Sequence, residues 1–364
     1  MAAKIIDKIV TVSVTDATSV ADSTAVNTVA ALVSVSADDY EVSGSDGVDV
    51  VTITGSSEAS GYGDEAVAIA TSFFGEENPG QLTLALTNEE YTGDNVATLL
   101  EAAISAGAED CYHWLFWLDP LGTDDDENVA VTDAVALCTA LQSWAGENDK
   151  LAHVELESQS EGDALMQGLA ALAPSRVAVY SHDADDYCLA AAVCAKNCAD
   201  DPAKGTWAYT QLDSITADSI SVANFVSYVQ TDGLNVYHTV KGLNVLTFGT
   251  TGSATDFVDQ IVKQDWLKFR VQEAILTLLV TANSNRGVLY CDEGIQGVAA
   301  AVNNVLNVAN SNGYIMDDWE VTAPKYSEIE AAQIKKRNLP DVTATFSIMN
   351  SIHTVQTVKL VITL

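Results

Sequence analysis

Three short stretches of this 364-residue chain have the residue types of a binding or catalytic site. The first, "FGTTGSATDF" (residues 248–257), stands between a predicted strand and a predicted helix, which is the usual position of a phosphate-binding loop. It lacks the Gly-x-x-x-x-Gly-Lys-Ser/Thr spacing of such a loop and the third glycine of a dinucleotide-binding turn. We therefore expect a simple turn, in which Ser253 or Thr255 caps the following helix.

Two acidic stretches have side chains that bind cations in other proteins. "TDDDEN" (residues 123–128) stacks four carboxylates but lacks the order and the central glycine of an EF-hand. "HDADD" (residues 182–186) lies at the carboxyl end of a predicted strand, where open α/β sheets bind ligands. We interpret both as solvated loops, with weak calcium binding and a metal site as the respective alternatives.

The remaining reactive residue types are scattered along the chain. The six cysteines form no CxxC pair, and three of them fall in the alanine-rich "YCLAAAVCAKNCA", so we expect buried free thiols. The five histidines are not accompanied by a Gly-x-Ser-x-Gly elbow. The sequence thus supplies no catalytic groups, and it predicts no cofactor and no metal.

The net charge of −35 argues against nucleic acid as a partner, because phosphate binding needs a basic surface. Residues 1–258 hold 7 Lys/Arg against 40 Asp/Glu, whereas residues 259–364 hold 9 against 11. The apolar run "AILTLLV" is too short to cross a bilayer, and the first residues do not resemble a signal peptide. We expect no membrane insertion and a cytosolic protein where it is made.

Strands and helices alternate through the middle of the chain, which predicts an α/β fold with a mostly parallel sheet. The predicted strands are residues 48–55, 81–87, 113–118, 152–157, 175–181, 234–240 and 243–249. The predicted helices are "GDEAVAIATSFF" and residues 93–106, 129–144, 161–172, 187–198 and 219–230.

The last third is predicted to be α+β. A long helix over residues 255–282 precedes a second over 292–313 and a short one over 327–337. Trp319–Val321 fits a strand, and a closing hairpin is expected between "DVTATFSIM" and "HTVQTVKLVITL", with its turn at Asn350 and Ser351. The N-terminal "IIDKIVTVSV" is also strand-like, so both ends need a pairing partner.

Five segments carry a resemblance to a known family: "IDKIVTVSV", "YGDEAVAIATSFFGEENPGQLTLAL", "FVDQIVKQDWLKFRVQEAILTLLV", "RGVLYCDEGIQGVAAAVNNVLNVANSNGYI" and "KKRNLPDVTATFSIMNSIHTVQTVKLVITL". The third contains Asp265-Trp266 and Arg270, and the fourth has a Tyr-x-Asp-x-Gly-Ile pattern from Tyr290 to Ile295. In this order they resemble the contractile tail sheath proteins of myophages and R-type pyocins. Residues 90–250 match that family only in architecture.

The resemblance implies a structural protein and not an enzyme. Sheath subunits stack as hexameric rings in a helical tube around an inner tail tube, between a baseplate and a tail terminator. They form the sheath of a virion tail assembled in the host cytoplasm, and contraction drives the tube through the cell envelope. Terminal arms add strands to neighbouring subunits, which agrees with the two strand-like ends and generates an open polymer.

On this interpretation the chain has an N-terminal arm (residues 1–25), an acidic outward α/β domain (26–258) and a C-terminal assembly domain ending in a second arm (259–364). The predicted inter-subunit arm residues are Ile9, Val10, Val12, Val14, Val355, Val358, Leu360 and Ile362. The predicted contacts to the inner tube are basic, namely Lys263, Lys268, Arg270, Lys335, Lys336 and Arg337.

Two other classes of protein remain open from the sequence. The first is a soluble α/β enzyme that depends on a nucleotide or a metal bound at the strand ends. The second is an acidic secreted or surface-layer protein, against which the missing signal peptide and the six cysteines count.

Overall fold

The computed structural model describes residues 25–44, 46–118, 131–172, 176–183, 187–199, 201, 203, 205–283 and 286–355. Within these residues the main feature is an eight-stranded sheet in the order β2-β3-β1-β4-β5-β6-β7-β8. Its strands are β1 Val29–Ser34, β2 Asp49–Ile53, β3 Leu82–Thr87, β4 His113–Leu118, β5 Leu151–Leu156, β6 Val177–Ser181, β7 Asn235–Val240 and β8 Leu243–Leu246.

The six strands from β3 to β7 in this order pair in parallel, and only the two edge strands, β2 and β8, run antiparallel to their neighbours. Between the strands run helices α1 Gly63–Phe74, α2 Val96–Ala103, α3 Val131–Asn148, α4 Gln159–Leu169, α5 Leu189–Cys198 and α6 Val222–Asn224. The predicted α/β fold with a mostly parallel sheet is confirmed.

β1 is an interior strand, third in the order of the sheet, and it was not predicted from the sequence. Val29, Ala31 and Val33 point to one face of the sheet, into the core with α1 and α5. Ala30 and Leu32 point to the other face, into the core with α2, α3 and α4. A strand covered on both faces reads as a continuous apolar run without alternation, and "VAALVS" is such a run.

Several predicted helices differ in their ends. The predicted helix over residues 93–106 stops as an α-helix at Ala103 and continues as a π-helical turn, Ile104–Ala108, in which Gly107 has a φ of 122°. The predicted helix over residues 219–230 has three α-helical residues followed by a π-helix, Phe225–Thr231. Both segments are apolar at helical spacing, and that pattern does not distinguish α from π winding.

The last third forms helices α7 Val258–Asn283, α8 Asp292–Ser311 and α9 Ala331–Lys336, with the short strands β11 Glu320–Thr322 and β12 Thr343–Thr345. Helices α7 and α8 pack along each other. The core is continuous across the predicted boundary at residues 258 and 259, because Val262 and Leu267 of α7 belong to the same cluster as Leu115 and Tyr180 of the sheet. The three-part division stays a prediction.

One local prediction was wrong, and a second lies largely outside the described residues. "FGTTGSATDF" forms a narrow two-stranded ribbon, β9 Thr250–Thr251 with β10 Ser253–Phe257, so Ser253 and Thr255 lie in a strand rather than at a helix cap. β12 pairs with β11 in antiparallel register, a pairing that was not predicted from the sequence. Residues 351–355 form neither helix nor strand, and the rest of the expected hairpin, residues 356–364, lies outside the described residues.

Candidate assembly interface

Helix α7 crosses the amino ends of β4, β5 and β6, and a cluster of buried charges joins it to them. Asp265 of α7 accepts two hydrogen bonds from the guanidinium of Arg176, at 2.7 and 2.8 Å, and one from the hydroxyl of Tyr112, at 2.5 Å. Lys268 donates to both carboxylate oxygens of Asp149, at 2.8 and 3.0 Å. Two acids thus balance two bases in the interior, and all four are buried.

The buried charges depend on one another. Burial raises the pKa of Asp149 to about 6, and the nearby charge of Asp265 adds to this effect against the opposing charge of Lys268. Burial also works against the charged form of Arg176, but the charge of Asp265 outweighs it and raises the pKa of the guanidinium. Removing one member leaves its partner charged in an apolar interior, which is strongly destabilising.

Two of the basic residues predicted to contact an inner tube are buried in this region. Lys263 and Lys268 are 2% and 1% exposed, and both are paired within the chain. Lys263 donates to the carboxylate of Asp259, at 2.9 Å, and to the carbonyl oxygen of Met349, at 3.1 Å. Both side chains are thus buried and bonded within the subunit, and a contact of either one with an inner tube stays a prediction.

Arg270 has a different environment from the two lysines. Its guanidinium donates to Glu273 at 2.6 Å and lies 5.6 Å from the centre of the Trp266 ring. About a third of its side chain is exposed, so it is anchored at the surface of α7 rather than buried. The Asp265-Trp266 and Arg270 pattern is thus accounted for by contacts within the chain.

The second basic trio lies at the surface. Lys335, Lys336 and Arg337 are exposed at the end of α9, and the backbone of Arg337 is left-handed, with a φ of 57°. Cations at the last turn also interact favourably with the helix dipole, which by itself explains their place in the sequence.

The Tyr-x-Asp-x-Gly-Ile pattern fixes the position of this basic helix. The hydroxyl of Tyr290 donates to the carbonyl of Asn338 at 2.7 Å, and the carboxylate of Asp292 accepts from the backbone N–H of Tyr326 at 2.6 Å. Gly294 is required because a Cβ there would lie 1.9 Å from the carbonyl oxygen of Leu289. The pattern therefore ties the start of α8 to both ends of the segment that carries α9.

The C-terminal segment is anchored as far as His353. The backbone N–H of Met349 donates to Tyr314 at 2.8 Å, and the imidazole of His353 is bonded to the hydroxyl of Thr206 at 2.9 Å. The same ring packs edge-on against Phe257, with centroids 4.7 Å apart, and burial lowers its pKa. Beyond His353 the described chain, residues 354 and 355, is exposed to solvent.

Of the predicted arm residues, only Val355 lies within the described residues, where its side chain is 72% exposed. The other seven lie outside them: Ile9, Val10, Val12, Val14, Val358, Leu360 and Ile362. Their role stays a prediction.

An open cleft of about 310 Å³ lies between the start of α7 and this anchor, and Asp259, Ser351 and His353 line it. These three residue types also occur in hydrolase triads, but here they are bonded elsewhere. His353 is bonded to Thr206, and Asp259 is paired with Lys263. The cleft thus holds no linked nucleophile and base.

A buried cluster of His113, His153 and Cys194 was not predicted from the sequence, and its donor atoms lie within 4.8 Å of one another. Nδ1 of His113 and Nε2 of His153 share a hydrogen bond at 2.9 Å. The outer nitrogens are bonded to the carbonyl of Val26 and the hydroxyl of Tyr180, each at 3.1 Å. Burial lowers the pKa of His113 to about 3, so one chain of hydrogen bonds between neutral rings satisfies all four nitrogens without an ion.

Two side-chain groups near the carboxyl ends of the strands are bonded within the chain. The buried carboxylate of Glu155 accepts from the backbone N–H groups of Leu189 and Ala190, at 2.9 and 2.6 Å, where a phosphate would bind a helix N-terminus. His182, from "HDADD", lies 2.9 Å from Asp218. Burial opposes its charged form, but the bond and charge of Asp218 prevail and raise the pKa of His182.

Three further sequence predictions concern the cysteines, the acidic stretch at residues 123–128 and membrane insertion. Each of the six cysteines, all within the described residues, is a free thiol, and five of them are buried. "TDDDEN" lies outside the described residues. In the part of the chain that the structure covers, no helix is both long enough and apolar enough to span a bilayer.

No protein-family model matches the chain, and no curated protein matches it. A chain in the cryo-EM structure of the anti-feeding prophage baseplate, determined with six-fold symmetry, superposes with a TM-score of 0.64 at 12% identity over 96% of both chains. The two chains share one fold. The sheath tail protein Lin1278 of Listeria innocua is also similar, with a TM-score of 0.45 at 11% identity, over 67% of this chain and 55% of that one.

Proposed function

We propose that this chain is a structural subunit of a contractile tail sheath, in a bacteriophage or a phage-derived injection device. The observation that carries the proposal is the shared fold, over 96% of both chains, with a component of a six-fold symmetric prophage baseplate. The order of the five sheath-like segments supports it independently. The subunits stack as hexameric rings around an inner tail tube, with the baseplate at one end and a terminator protein at the other.

In this proposal the two arms are the joints between subunits. Residues 347–353 are held by α7 and by the loop around Thr206, so the arm leaves a fixed point on its own subunit. The exposed Ile352 and Val355 begin an apolar stretch that continues outside the described residues. Adding that stretch to a sheet in the next subunit satisfies its backbone groups and sets the register.

In this proposal the sheath contracts when its rings repack against one another while the arms keep neighbouring subunits linked. The sheath shortens while the arms act as tethers, and the shortening drives the inner tube through the envelope of the target cell. This ejects the genome in a phage virion assembled in the host cytoplasm. The bonds that Glu155 and the His182–Asp218 pair make within the chain support a structural role over the nucleotide- or metal-dependent enzyme, because these groups near the strand ends are already partnered.

Removal of the C-terminal arm tests the proposal directly. A variant that ends at His353 keeps its anchor and should remain a folded monomer, while the full-length protein forms tubes or stacked rings in negative-stain electron microscopy. A full-length Val358→Pro/Leu360→Pro variant should behave like the truncation, because each proline removes a backbone donor from the added strand.

A Thr357→Ser variant is the control and should polymerise normally. Tubes formed by the truncated protein would rule out strand exchange through this arm. Isolated particles from the full-length protein under all conditions would contradict the sheath itself.

A further inference from the structure

The outward face of α8 carries no charge in a chain that is otherwise strongly acidic. Residues 294–316 contain no Asp, Glu, Lys or Arg, and residues 274–316 contain only Arg286, Asp292 and Glu293, against 18% charged residues in the whole chain. The uncharged zone therefore covers the end of α7 and the whole length of α8 beyond its first turn.

The two sides of α8 are chemically distinct. Its inner side is apolar and buried, with Ile295, Val302 and Leu306 against the rest of the chain. Its outer side is exposed and made of amide, small and apolar side chains at helical spacing: Gln296, Ala300, Asn304, Asn307, Val308 and Ser311. Such a face, about 22 Å long, can be covered by another protein without burying a charge.

The adjoining end of α7 independently indicates a missing neighbour. Residues 274–280 are apolar or Thr on every side of the helix, yet none of them is fully buried. Val280 is 65% exposed, and Leu289 in the connection to α8 is 53% exposed. A helix that is apolar all round is normally found in an interior, so this end is incomplete in the isolated subunit.

We propose that a second copy of this chain packs on the surface formed by the outer side of α8 and the end of α7. The reason for this occupant is electrostatic: two copies with a net charge of −35 repel each other wherever their acidic surfaces meet. On this surface two like copies can approach closely without bringing acidic side chains together. The inference rests on the proposed function, since it identifies a lateral contact between sheath subunits that does not use the arms.

Paired acidic substitutions test the surface. An Asn304→Glu/Val308→Glu variant places two carboxylates one turn apart on the outer side of α8. Val222→Glu/Val226→Glu is the matched control, with the same spacing on an exposed segment of the α/β domain, where the side chains are 83% and 47% exposed. Sedimentation and negative-stain microscopy would measure polymer, and thermal unfolding would confirm that both variants are folded.

We expect the α8 variant to need at least a tenfold higher protein concentration to polymerise at low salt, and to recover partly near 1 M salt, where charges are screened beyond about 3 Å. The control should polymerise like the unmodified chain. Normal polymerisation of the α8 variant would overturn this inference while leaving the sheath proposal standing. If the variant polymerises alone but no longer around inner tubes, the surface belongs to the tube and the second-copy inference is wrong. A full-length chain that never polymerises would overturn both.

Discussion

Asp265 is the residue on which the attachment of α7 depends. One carboxylate accepts both arms of the Arg176 guanidinium and the hydroxyl of Tyr112, and these residues come from positions 89 and 153 places away in sequence. The sequence offered a partial signal for this, because Asp265 and Lys268 are charged residues on a helix that also carries Val262, Leu267 and Phe269 of the core. No sequence pattern indicates their partners, Arg176 for Asp265 and Asp149 for Lys268, because the fold brings these residues from other elements.

We predict that Asp265→Asn lowers the free energy of unfolding by about 3–5 kcal/mol, because buried Arg176 loses its closest counter-charge and keeps only the carboxylate of Asp149, 3.7 Å away. Glu273→Gln, which breaks only the half-exposed pair with Arg270, should cost less than about 1 kcal/mol. Chemical denaturation of the two variants measures both values.

The double variant Arg176→Met/Asp265→Leu provides the control for buried charge. It should recover most of the stability lost in Asp265→Asn, because neither member of the pair remains uncompensated. An Asp265→Asn variant as stable as the unmodified chain would show that the pair does not hold α7 in place.

At the scale of elements, two glycines three residues apart in α8 have opposite roles. Gly294 lies where the chain turns back against the carbonyl of Leu289, with no room for a Cβ, whereas Gly297 has no atom within 4 Å of that position. The pattern "DEGIQG" shows both glycines, but only the structure tells which one is required by packing.

Replacing each glycine with alanine separates the two roles. Gly294→Ala should lower the free energy of unfolding by about 2 kcal/mol or more, because backbone must move. Gly297→Ala should raise it by about 0.5–1 kcal/mol through better helix propensity. Thermal unfolding of both variants measures the difference, and two changes of the same sign would refute the packing argument.

The elements that alternate along the chain were predictable, because strands and helices there have clear periods and glycine or proline ends. The interior strand β1 was not predictable, since a strand buried on both faces lacks the alternation that marks half-buried strands. The pairing of β12 with β11 was also missed, because antiparallel partners of three residues leave almost no sequence signal. The burial of Lys263 and Lys268 depends on tertiary partners that no local pattern reveals.

At the scale of the whole molecule, exposed basic residues are rare in a chain dominated by acidic ones. Only 16 Lys and Arg residues face 51 Asp and Glu, and Lys263, Lys268 and Arg176 are buried in pairs. The trio at the end of α9 is thus a local reversal of charge, held in place by the Tyr290 and Asp292 contacts. It is the best remaining candidate for contact with the inner tube.

A Lys335→Gln/Lys336→Gln/Arg337→Gln variant should bind preformed inner tubes roughly tenfold more weakly, since each exposed ion pair contributes up to about 1 kcal/mol. Its assembly without the tube should be unchanged. Co-sedimentation with tubes measures the binding, and Lys241→Gln, on the exposed turn between β7 and β8, is the control. Equal binding by the triple variant would remove α9 from the tube contact.

The place of β1 in the sheet has a mechanical consequence. The N-terminal segment enters the fold through this strand, which is hydrogen-bonded to β3 along six residue pairs on one side and to β4 along three on the other. Tension applied along β1 would have to shear both rows of bonds at the same time, whereas an edge strand can be peeled away one bond at a time. If the proposed N-terminal arm carries tension between subunits, β1 should resist being pulled out of the sheet more strongly than an edge strand would.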